Sequence, residues 1–395
     1  MLPLDHLHWP FLDDSHRLAA QRAVTFAATL ADDPHPQARD AVDARCRALV
    51  AAMGAAGLLG YCVRGADGGV TTELEARAIC LIRETLAYTD GLADFAFAMQ
   101  GLGSGALSLA GDAALRQRYL PGVATGRLVA AFALSESAAG SDVAAMTTQA
   151  RREGDAYVLD GAKTWISNGG IADFYCVFAR TQPGVVRADG TVGAAGISAF
   201  VVEPTDPGFS IAARIDVMAP HPLATLRFTA LRIPAARRIG AEGEGFKIAM
   251  RTLDVFRTSV AAAALGFGQR GFDEGLAQAR TRRLFGKTLG DFQLTQAALA
   301  EMATTLDSAR LLTYRAAWQR DRGEKPTRTA AMAKLAATEG AQAVIDRALQ
   351  LHGGLGVVEG QPLERLYREI RALRIYEGAT EVQKLIIARD LLAQA

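Results

Sequence analysis

Apolar residues in the first part of the chain recur at the spacing of an amphipathic helix. Between residues 74 and 86 they lie at Leu74, Ala78, Leu81, Ile82 and Leu86. Thr72 and Glu75 precede this run with the spacing of a capping box, which predicts that the helix begins there. A further helix is expected to end near residues 119–122, where a proline is followed by a glycine. The pattern predicts a helical domain over residues 1–127.

Near residue 130 this pattern changes to short runs rich in β-branched and aromatic residues. Clusters of Gly, Pro, Asn and Asp separate the runs, as turns separate strands. The predicted strands are Ala156–Leu159, Phe174–Ala179, Ile197–Glu203 and Thr225–Ile233, with a surface loop at residues 181–195. Residues 128–238 are therefore expected to form a small β-domain.

Helical periodicity returns after Gly245 and continues almost to the C terminus. The predicted helices are Phe246–Gly268, Phe272–Thr281, Thr295–Asp321, Thr327–Leu351 and Gln383–Leu392. Gly266, Gly268 and Gly271 match the GxGxxG pattern of dinucleotide-binding loops, but that fingerprint needs a preceding strand, and an alanine-rich helical run precedes these glycines. We interpret them as points of close helix packing. The chain is thus predicted to be mainly α with a central β-domain, and residues 239–395 to form an antiparallel helix bundle.

Length, charge and cysteine usage exclude several classes of protein. A chain of 395 residues exceeds one ordinary hydrophobic core, so two or three domains are expected. Its 43 Lys and Arg against 42 Asp and Glu give a net charge of +1, which argues against nucleic acid or an anionic membrane surface as a partner. The four cysteines include no CxxC pair, so we expect neither a disulfide framework nor a zinc site.

The N-terminal segment carries no recognisable targeting signal. It lacks the basic and apolar stretches of a signal peptide, and no run in the chain approaches the ~20 apolar residues of a membrane-spanning helix. We therefore expect a cytoplasmic protein without membrane insertion. His6 and His8 have no third metal ligand near them in sequence, which predicts an exposed N-terminal arm without a metal.

Two segments of the β-region carry candidate binding chemistry. Residues 133–142 (ALSESAAGSD) combine hydroxyl groups with glycine, which suits either close contact with a planar or phosphorylated ligand or a plain serine-rich turn. Residues 161–170 (GAKTWISNGG) place Trp165 close to Ser167 before an Asn-Gly turn. A tryptophan there can stack on an aromatic cofactor beside a hydroxyl donor, or it can be buried in a hairpin.

Two segments of the C-terminal region add charged and amide groups. Residues 282–286 (RRLFG), with Gln293 after them, put an arginine at a helix end before a turn, which suits a pyrophosphate. Residues 350–354 (QLHGG) and 374–383 (RIYEGATEVQ) follow. In the last segment Glu377 stands at a loop-to-helix junction, where its carboxylate and a backbone N–H can meet one bound group. Taken alone, each of these residues is more often a surface charge or a helix cap.

In this order and at these spacings, the four segments resemble those of the acyl-CoA dehydrogenase family. The similarity also includes residues 115–134 and 240–254, and it extends over nearly the whole chain. The resemblance implies an α-helical N-terminal domain, a β-barrel-like middle domain and a C-terminal four-helix bundle. It further implies FAD as the cofactor, and a homotetramer or homodimer in which the C-terminal region of one subunit completes the flavin site of its neighbour.

The resemblance also implies roles for individual residues. The cofactor-binding positions are Phe132, Leu134, Ser135, Trp165, Ser167, Arg282, Phe285, Gln293, Gln350 and Gly354. The substrate-binding positions are Ser141, Asp254, Arg257, Tyr376 and Gly378. Asp254 and Arg257 also have the spacing of an ordinary intrahelical ion pair. Glu377 matches the catalytic base, and Phe256 stands where a minority of the family carries its glutamate instead.

The reaction implied by the resemblance is the FAD-dependent α,β-dehydrogenation of an acyl-CoA thioester to a trans-2-enoyl-CoA. Glu377 would take the α-proton while hydride moves to flavin N5, and the electrons would pass to an electron-transfer flavoprotein. The alternative is an acyl-CoA oxidase or another oxygen-using flavoenzyme on the same scaffold. A DNA-associated flavoprotein of the alkylation-response branch is a remote alternative, because a net charge of +1 does not suit DNA.

Two features bear on the acyl group. Phe95, Phe97 and Met99 fall on a helix and are either core residues or bulky residues at an acyl pocket, where they would favour short, branched or cyclic chains. Residues 218–225 (MAPHPLAT) depart from the Gly-x-Arg-x-Ser-like run that the family usually has at this place, and their two prolines stiffen the loop differently.

Overall fold

The structure, a computed structural model, describes Leu2 and residues 4–30, 35–186, 188 and 190–393. Its α-helices are α1 (Asp14–Ala28), α2 (Arg39–Ala55), α3 (Ala76–Thr89), α4 (Gly91–Ala110), α5 (Ala113–Ala124), α6 (Gly245–Thr281), α7 (Gln293–Asp321), α8 (Thr327–His352), α9 (Pro362–Leu373) and α10 (Thr380–Leu392). Its strands are β1 (Ala130–Ala133), β2 (Gln149–Glu153), β3 (Ala156–Ser167), β4 (Phe174–Arg180), β5 (Ile197–Val202), β6 (Phe209–Arg214), β7 (Leu223–Pro234), β8 (Arg238–Ile239), β9 (Arg283–Leu284) and β10 (Lys287–Thr288). In chain order, helices thus precede and follow the strands of a central sheet, as predicted.

The chain divides into two compact units, each assembled from separate stretches of sequence. The first unit contains Met1–Asp33, Glu75–Asp94 and Arg257–Ala395. The second contains Pro34–Leu74 and Phe95–Phe256, and with them strands β1 to β8. The domain boundaries proposed after residues 127 and 238 stay predictions.

The second unit is organised around the sheet. Its strand order is β6-β7-β3-β2-β4-β5-β8, and β1 pairs in parallel with β4. The long strands β3 and β7 are antiparallel, and a register shift between Lys163 and Ile166 interrupts their ladder. Such a bulge redirects the side chains next to it, which here include Trp165. The predicted surface loop connects β4 to β5, although its positions 187 and 189 lie outside the described residues.

The sequence pattern missed or shortened several strands. β1, β2 and β6 are four to six residues long and were not predicted, and β3 continues to Ser167 instead of ending at Leu159. Short strands with few β-branched residues give little periodic signal, so pairing with their neighbours decides them.

Helices α6 to α9 form the core of the first unit, together with part of α3. Small and branched side chains fill this core, including Ala264, Phe267, Leu306 and Ile345. Helix α6 is one continuous helix and not the two that were predicted, because its glycines lie against neighbouring helices. A Cβ atom at Gly266 would lie 2.2 Å from the carbonyl oxygen of Glu84 on α3. The close-packing interpretation of the GxGxxG pattern is therefore confirmed.

Gly266→Ala is expected to lower the free energy of unfolding by about 2 kcal/mol, because the new methyl group would meet backbone that cannot rotate away. Gly275→Ala is a matched control on the same helix, since a Cβ atom there would lie 3.2 Å from the Cβ atom of Ala348. In the control a helix-propensity gain of ~0.5–1 kcal/mol offsets the contact. Urea unfolding followed by circular dichroism compares the two variants, and equal losses would contradict the interpretation.

The predicted start of the helix that follows Thr72 is wrong. Helix α3 begins at Ala76, and no side chain near it in sequence caps it. Instead, the carboxylate of Asp321 accepts hydrogen bonds from the backbone N–H of Ala76 at 2.7 Å and of Arg77 at 3.1 Å. These are donors that a helix leaves unpaired at its first turn. A residue distant in sequence therefore does what the capping box was expected to do.

The helix predicted to end near residues 119–122 ends two residues later, because Pro121 does not stop it. Helix α5 continues through Pro121 to Ala124, and the chain then turns at Gly126, whose φ is 69°. The side chains of Leu120 and Val123 are fully buried. Their packing outweighs the one backbone hydrogen bond that the proline removes.

The prediction of an exposed N-terminal arm is wrong for His6. Its imidazole is buried against Tyr314, with ring centroids 5.2 Å apart, and lies 3.7 Å from a carboxylate oxygen of Glu84. Burial lowers the pKa of His6, and the charge of Glu84 only partly opposes this. His6 is therefore a core residue of the first unit.

The described residues contain no disulfide, no candidate metal cluster and no membrane-spanning helix. The four cysteines are buried and none of them is joined to another in a disulfide. Among the described residues, no three or more His, Cys, Asp and Glu side chains are grouped so that they could hold a metal ion. No helix in the described part of the chain is long and apolar enough to cross a bilayer.

Candidate functional site

The loop that carries Glu377 joins α9 to α10 and has an unusual backbone. Glu377 has a φ of 53° and Gly378 a φ of 94°, and the left-handed region is costly for a residue with a side chain. The ammonium group of Lys334 on α8 donates hydrogen bonds to the carbonyl oxygens of Tyr376 at 2.8 Å and Gly378 at 2.5 Å. The side-chain amide of Gln383 donates a second bond to Gly378, at 2.8 Å. These bonds fix the backbone on both sides of Glu377.

One oxygen of the Glu377 carboxyl group lacks a hydrogen-bond partner within the described part of the chain. This Oε2 atom is buried and accepts no hydrogen bond there. Burial raises the pKa of Glu377, while the positive charges of Arg83, Lys334 and Arg257 act to lower it. A desolvated carboxylate with an unused oxygen is suited to take a proton from a bound ligand.

Lys334 is a site residue that the sequence analysis missed. The side chain is fully buried, and burial lowers the pKa of Lys334 to about 8 against the opposing charge of Glu377. The available signal was a single lysine on the apolar stripe of α8, where Ala330, Ala337 and Ala341 are also buried. A lysine among buried positions needs acceptors, and here two loop carbonyls provide them.

In the second unit, five predicted cofactor residues lie close together. They are the three at the end of β1, Phe132, Leu134 and Ser135, and the two on β3, Trp165 and Ser167. The backbone N–H of Thr164 donates to the carbonyl oxygen of Ser135 at 3.0 Å, which joins the two segments.

Trp165 is exposed at the sheet bulge. Its side chain is 59% exposed and its φ is 59°, so the alternative of a tryptophan buried in a hairpin is wrong. An exposed indole ring on a strained backbone suits stacking against a planar ligand. This observation fits the isoalloxazine ring of FAD.

A buried ion pair fixes the segment that contains Ser135. The ammonium group of Lys163 donates to Glu136 at 2.8 Å and to the carbonyl oxygen of Leu134 at 2.9 Å. Glu136 also accepts from the backbone N–H groups of Thr147 at 2.7 Å and Thr148 at 3.0 Å. Burial acts to raise the pKa of Glu136, but the charge of Lys163 and these hydrogen bonds lower it to about 2. The sequence analysis did not recognise either partner of this pair.

The other predicted cofactor residues lie at one end of the bundle in the first unit. These residues are Arg282, Phe285, Gln293, Gln350 and Gly354, at or near the end of α6, the start of α7 and the end of α8. A Cβ atom at Gly275 on α6 would lie 3.2 Å from Ala348 on α8 and 3.6 Å from Met302 on α7, which brings the three helix ends together.

The residues at this bundle end suit a pyrophosphate group that comes close to the protein backbone. The five predicted residues offer one guanidinium group and two side-chain amides as donors. Phe285 is 88% exposed with a φ of 51°. Apart from its two chain neighbours, no described residue has an atom within 4 Å of the position that a Cβ atom of Gly354 would take. The residues present therefore fit the phosphate part of FAD.

The predicted substrate residues lie in different environments. Ser141 is exposed in the loop after β1, and Tyr376 is 37% exposed beside Glu377. On α6, Asp254 is half-buried and Arg257 is buried. The positive charge of Arg257 acts to lower the pKa of Glu377.

Phe256 occupies the position of the alternative glutamate with an apolar ring. The ring is buried against α4, and a Cβ atom at Gly101 would lie 2.5 Å from it. Glu377 therefore has no second carboxylate at this position to share its role.

The atypical segment 218–225 packs against α4. The ring of His221 lies on Phe95 with centroids 4.4 Å apart, and its Nδ1 atom is 3.0 Å from the carbonyl oxygen of Ala219. Burial lowers the pKa of His221 to about 4, so the ring is neutral at physiological pH. Phe97 and Met99 are buried, which favours the alternative that they are core residues, whereas Phe95 is half-buried.

Comparison with known proteins gives matches along nearly the whole chain. Residues 13–127, 131–231 and 243–392 match the N-terminal, middle and C-terminal domains of acyl-CoA dehydrogenases. A probable acyl-CoA dehydrogenase of Mycobacterium leprae is 38% identical over 363 residues, which cover 90% of this chain and 91% of that protein. The short-chain specific mitochondrial acyl-CoA dehydrogenase of Mus musculus is 43% identical over 284 residues, 71% of this chain and 67% of that protein.

The solved structures agree with these relatives. Butyryl-CoA dehydrogenase from Megasphaera elsdenii superposes with a TM-score of 0.88 at 32% identity, covering 96% of this chain and 99% of that one. The fold, the site geometry and the matched domains lead to one conclusion. The chain belongs to the acyl-CoA dehydrogenase family of FAD-dependent oxidoreductases, which act on CH–CH bonds.

Proposed function

We propose that this protein dehydrogenates an acyl-CoA thioester between its α and β carbons, with Glu377 as the base, and releases a trans-2-enoyl-CoA. The observation that carries the proposal is the buried, unbonded Oε2 atom of Glu377, on a loop held by Lys334 and Gln383. The substrate class is supported by the names of similar proteins, a butyryl-CoA dehydrogenase and short-chain specific dehydrogenases among them.

The residues of this chain act on the proton and on the carbonyl group. The Glu377 carboxylate takes the α-proton, and its raised pKa brings its basicity closer to working pH. The backbone N–H of the same residue donates to the thioester carbonyl, a contact of the oxyanion type worth ~3–4 kcal/mol. Bound FAD supplies the acceptor for the hydride from the β-carbon. By holding the loop, Lys334 keeps the carboxylate and the backbone N–H of Glu377 in position.

The proposed binding residues follow the same assignment. FAD is held by the five residues on β1, directly after β1 and on β3, and by the five residues at the bundle end of a neighbouring subunit in a homotetramer or homodimer. The exposed Phe285 and the open space at Gly354 support a surface that another subunit covers. Ser141, Asp254, Arg257, Tyr376 and Gly378 are the proposed contacts of the acyl-CoA.

Anaerobic flavin bleaching with a panel of acyl-CoAs tests the function. The panel runs from short linear to branched, dicarboxyl and cyclic acyl groups. Bleaching that persists in air and is reversed by an electron-transfer flavoprotein is the expected result. Rapid reoxidation by oxygen with hydrogen peroxide release would instead identify an acyl-CoA oxidase, and no bleaching with any thioester would overturn the proposal.

Lys334→Met is expected to lower kcat by up to ~100-fold, because a loop that moves by about 1 Å misplaces the base. FAD absorbance and the circular dichroism spectrum should stay close to those of the unmodified enzyme. Lys325→Met removes an exposed lysine before α8 and is the matched control, with kcat expected to be unchanged. A folded Lys334→Met enzyme with normal kcat would show that the loop holds Glu377 without this lysine.

A further inference from the structure

One carboxylate on α8 holds both ends of the loop that carries Glu377. The loop runs from Arg374, which follows α9, to Thr380, which begins α10. The guanidinium group of Arg374 binds Glu339 with two prongs: its Nε atom donates to Oε1 at 2.9 Å, and its Nη2 atom lies 2.7 Å from Oε2. The hydroxyl of Thr380 donates to the same Oε1 atom at 2.5 Å. Glu339 therefore joins the residues at the two ends of the loop.

The backbone closes the loop at the same place. The N–H of Thr380 donates to the carbonyl oxygen of Arg374 at 3.1 Å. Only residues 375–379 lie between the two, and among them Glu377 and Gly378 have φ angles of 53° and 94°. A left-handed backbone at a residue with a side chain persists only where the surrounding structure imposes it. The position of Glu377 therefore depends on how firmly the two ends of the loop are held.

Glu339 binds these groups as a charged carboxylate. Burial acts to raise its pKa, but hydrogen bonds from Arg374 and Thr380 and the charges of Arg374 and Lys384 lower it. Hydrogen bonds to a charged acceptor are short and directional, so they fix the positions of their donors. The side chains of Arg374 and Glu339 are 29% and 35% exposed, and an ion pair this open to water adds little to the free energy of unfolding. Its main consequence is therefore the placement of the loop.

Lys334 and Glu339 act on different parts of the loop from the same helix. Lys334 donates to carbonyl oxygens on either side of Glu377, whereas Glu339 accepts hydrogen bonds from the residues at the loop ends. The two lie five residues apart on α8. The middle and the ends of the loop are thus fixed to one helix, and removing Glu339 would loosen the ends without removing the Lys334 contacts.

We infer that Glu339 is a positioning residue for the reaction, which keeps the Glu377 carboxylate within reach of the α-proton by holding Arg374 and Thr380. This inference rests on the proposed role of Glu377 as the base. Glu339 acts through the loop and takes up no proton itself. Misplacing a base by about 1 Å can slow a reaction by ~100-fold, so a small shift at the loop ends is enough to affect the rate.

Two changes at Thr380 test the inference with nearly unaltered packing. Thr380→Val keeps the shape of the side chain and removes the hydroxyl that Glu339 binds, whereas Thr380→Ser keeps the hydroxyl. The rate of anaerobic flavin reduction is expected to fall roughly 10-fold in Thr380→Val and to stay close to that of the unmodified enzyme in Thr380→Ser. The substrate is the acyl-CoA of the panel above that reduces the flavin fastest.

A change at the carboxylate itself is the second test. Glu339→Gln removes the charge that Arg374 binds and should slow flavin reduction by at least ~10-fold. Asp346→Asn is the matched control, because it removes an exposed carboxylate from the same helix, and its rate should be unchanged. Bound FAD and the circular dichroism spectrum should be the same in all four variants.

The deuterium isotope effect separates a misplaced base from a loss of structure. In Glu339→Gln and Thr380→Val, deuterium at the α-carbon should slow flavin reduction more than it does in the unmodified enzyme, because transfer of the α-proton has become slower than the other steps. A purely structural role would lower the amount of folded enzyme with bound FAD, and the isotope effect of the remaining enzyme would be unchanged.

These outcomes also separate the inference from the proposed function. The inference is wrong if Thr380→Val or Glu339→Gln reduces its flavin at the normal rate, or if Thr380→Ser is as slow as Thr380→Val. It is also wrong if the slow variants keep the isotope effect of the unmodified enzyme. Should Glu339→Gln fail to fold, the two Thr380 variants decide by the same measurements. Normal flavin reduction in Glu377→Gln, by contrast, would overturn the proposed function itself.

Discussion

Glu377→Gln is expected to keep bound FAD and to lose at least ~100-fold of the dehydrogenation rate. The amide has nearly the shape of the carboxylate, so the loop fixed by Lys334 and Gln383 stays in place. The amide cannot accept the α-proton, and Phe256 offers no second carboxylate where some family members have one. Anaerobic single-turnover flavin reduction measures the loss, and Glu381→Gln, an exposed change on α10, is the control.

This loss of rate should not be a loss of stability. Burial raises the pKa of Glu377 in the folded protein, so the folded state binds its proton more tightly than the unfolded chain. Such a group contributes stability at low pH and costs stability once the pH rises through its folded pKa. A neutral glutamine removes that cost, so the Tm of Glu377→Gln near neutral pH should equal or exceed that of the unmodified enzyme. A lower Tm with a matching fall in rate would instead indicate unfolding.

Lys163→Met is expected to lower the free energy of unfolding by about 3 kcal/mol, the second large effect. The methionine fills the same space but leaves Glu136 buried without its countercharge. Because Glu136 also holds the backbone of Thr147 and Thr148, the segment with Ser135 should loosen. Urea unfolding at pH 7 measures the loss. Arg151→Met, which removes an exposed arginine on β2, is a control expected to change little.

Because of Glu136, the contribution of this ion pair to the free energy of unfolding depends on pH. The folded pKa of Glu136 is about 2, below the ordinary value of 4.5. Its contribution to stability is therefore present above about pH 4.5 and is lost as the pH falls towards 2. In Lys163→Met/Glu136→Gln neither member of this ion pair is left buried and charged without the other, so part of the stability should return and this acid-dependent portion should vanish. A double variant as unstable as Lys163→Met would contradict the account.

Local patterns correctly predicted the order of the helical and strand-rich regions. Apolar residues at helical spacing indicated the bundle helices, and runs of β-branched and aromatic residues indicated β4, β5 and β7. These signals are local because each depends only on which side chains share one face of an element. The glycines of the GxGxxG pattern were interpreted correctly for the same reason, since the helical run before them excludes a strand.

Boundaries and buried charges depended on residues far apart in sequence. Helix α3 begins where Asp321 caps it, and α5 continues through Pro121 because its neighbours are buried. A buried lysine or arginine is indistinguishable from a surface one in sequence when its partner is distant. Lys334 and Arg83 were missed in this way, since their acceptors lie on other elements.

The sequence by itself determined the family, the order of helical and strand-rich regions, and the assignment of Glu377 as the proposed base, because these depend on local periodicity and on motifs read along the chain. Only the tertiary structure decided what surrounds that glutamate. The left-handed backbone at Glu377, its unbonded Oε2 atom and the charges of Lys334, Arg83 and Asp94 all come from segments brought together by folding. The basicity of a carboxyl group depends on desolvation and neighbouring charge, and both are properties of three-dimensional packing.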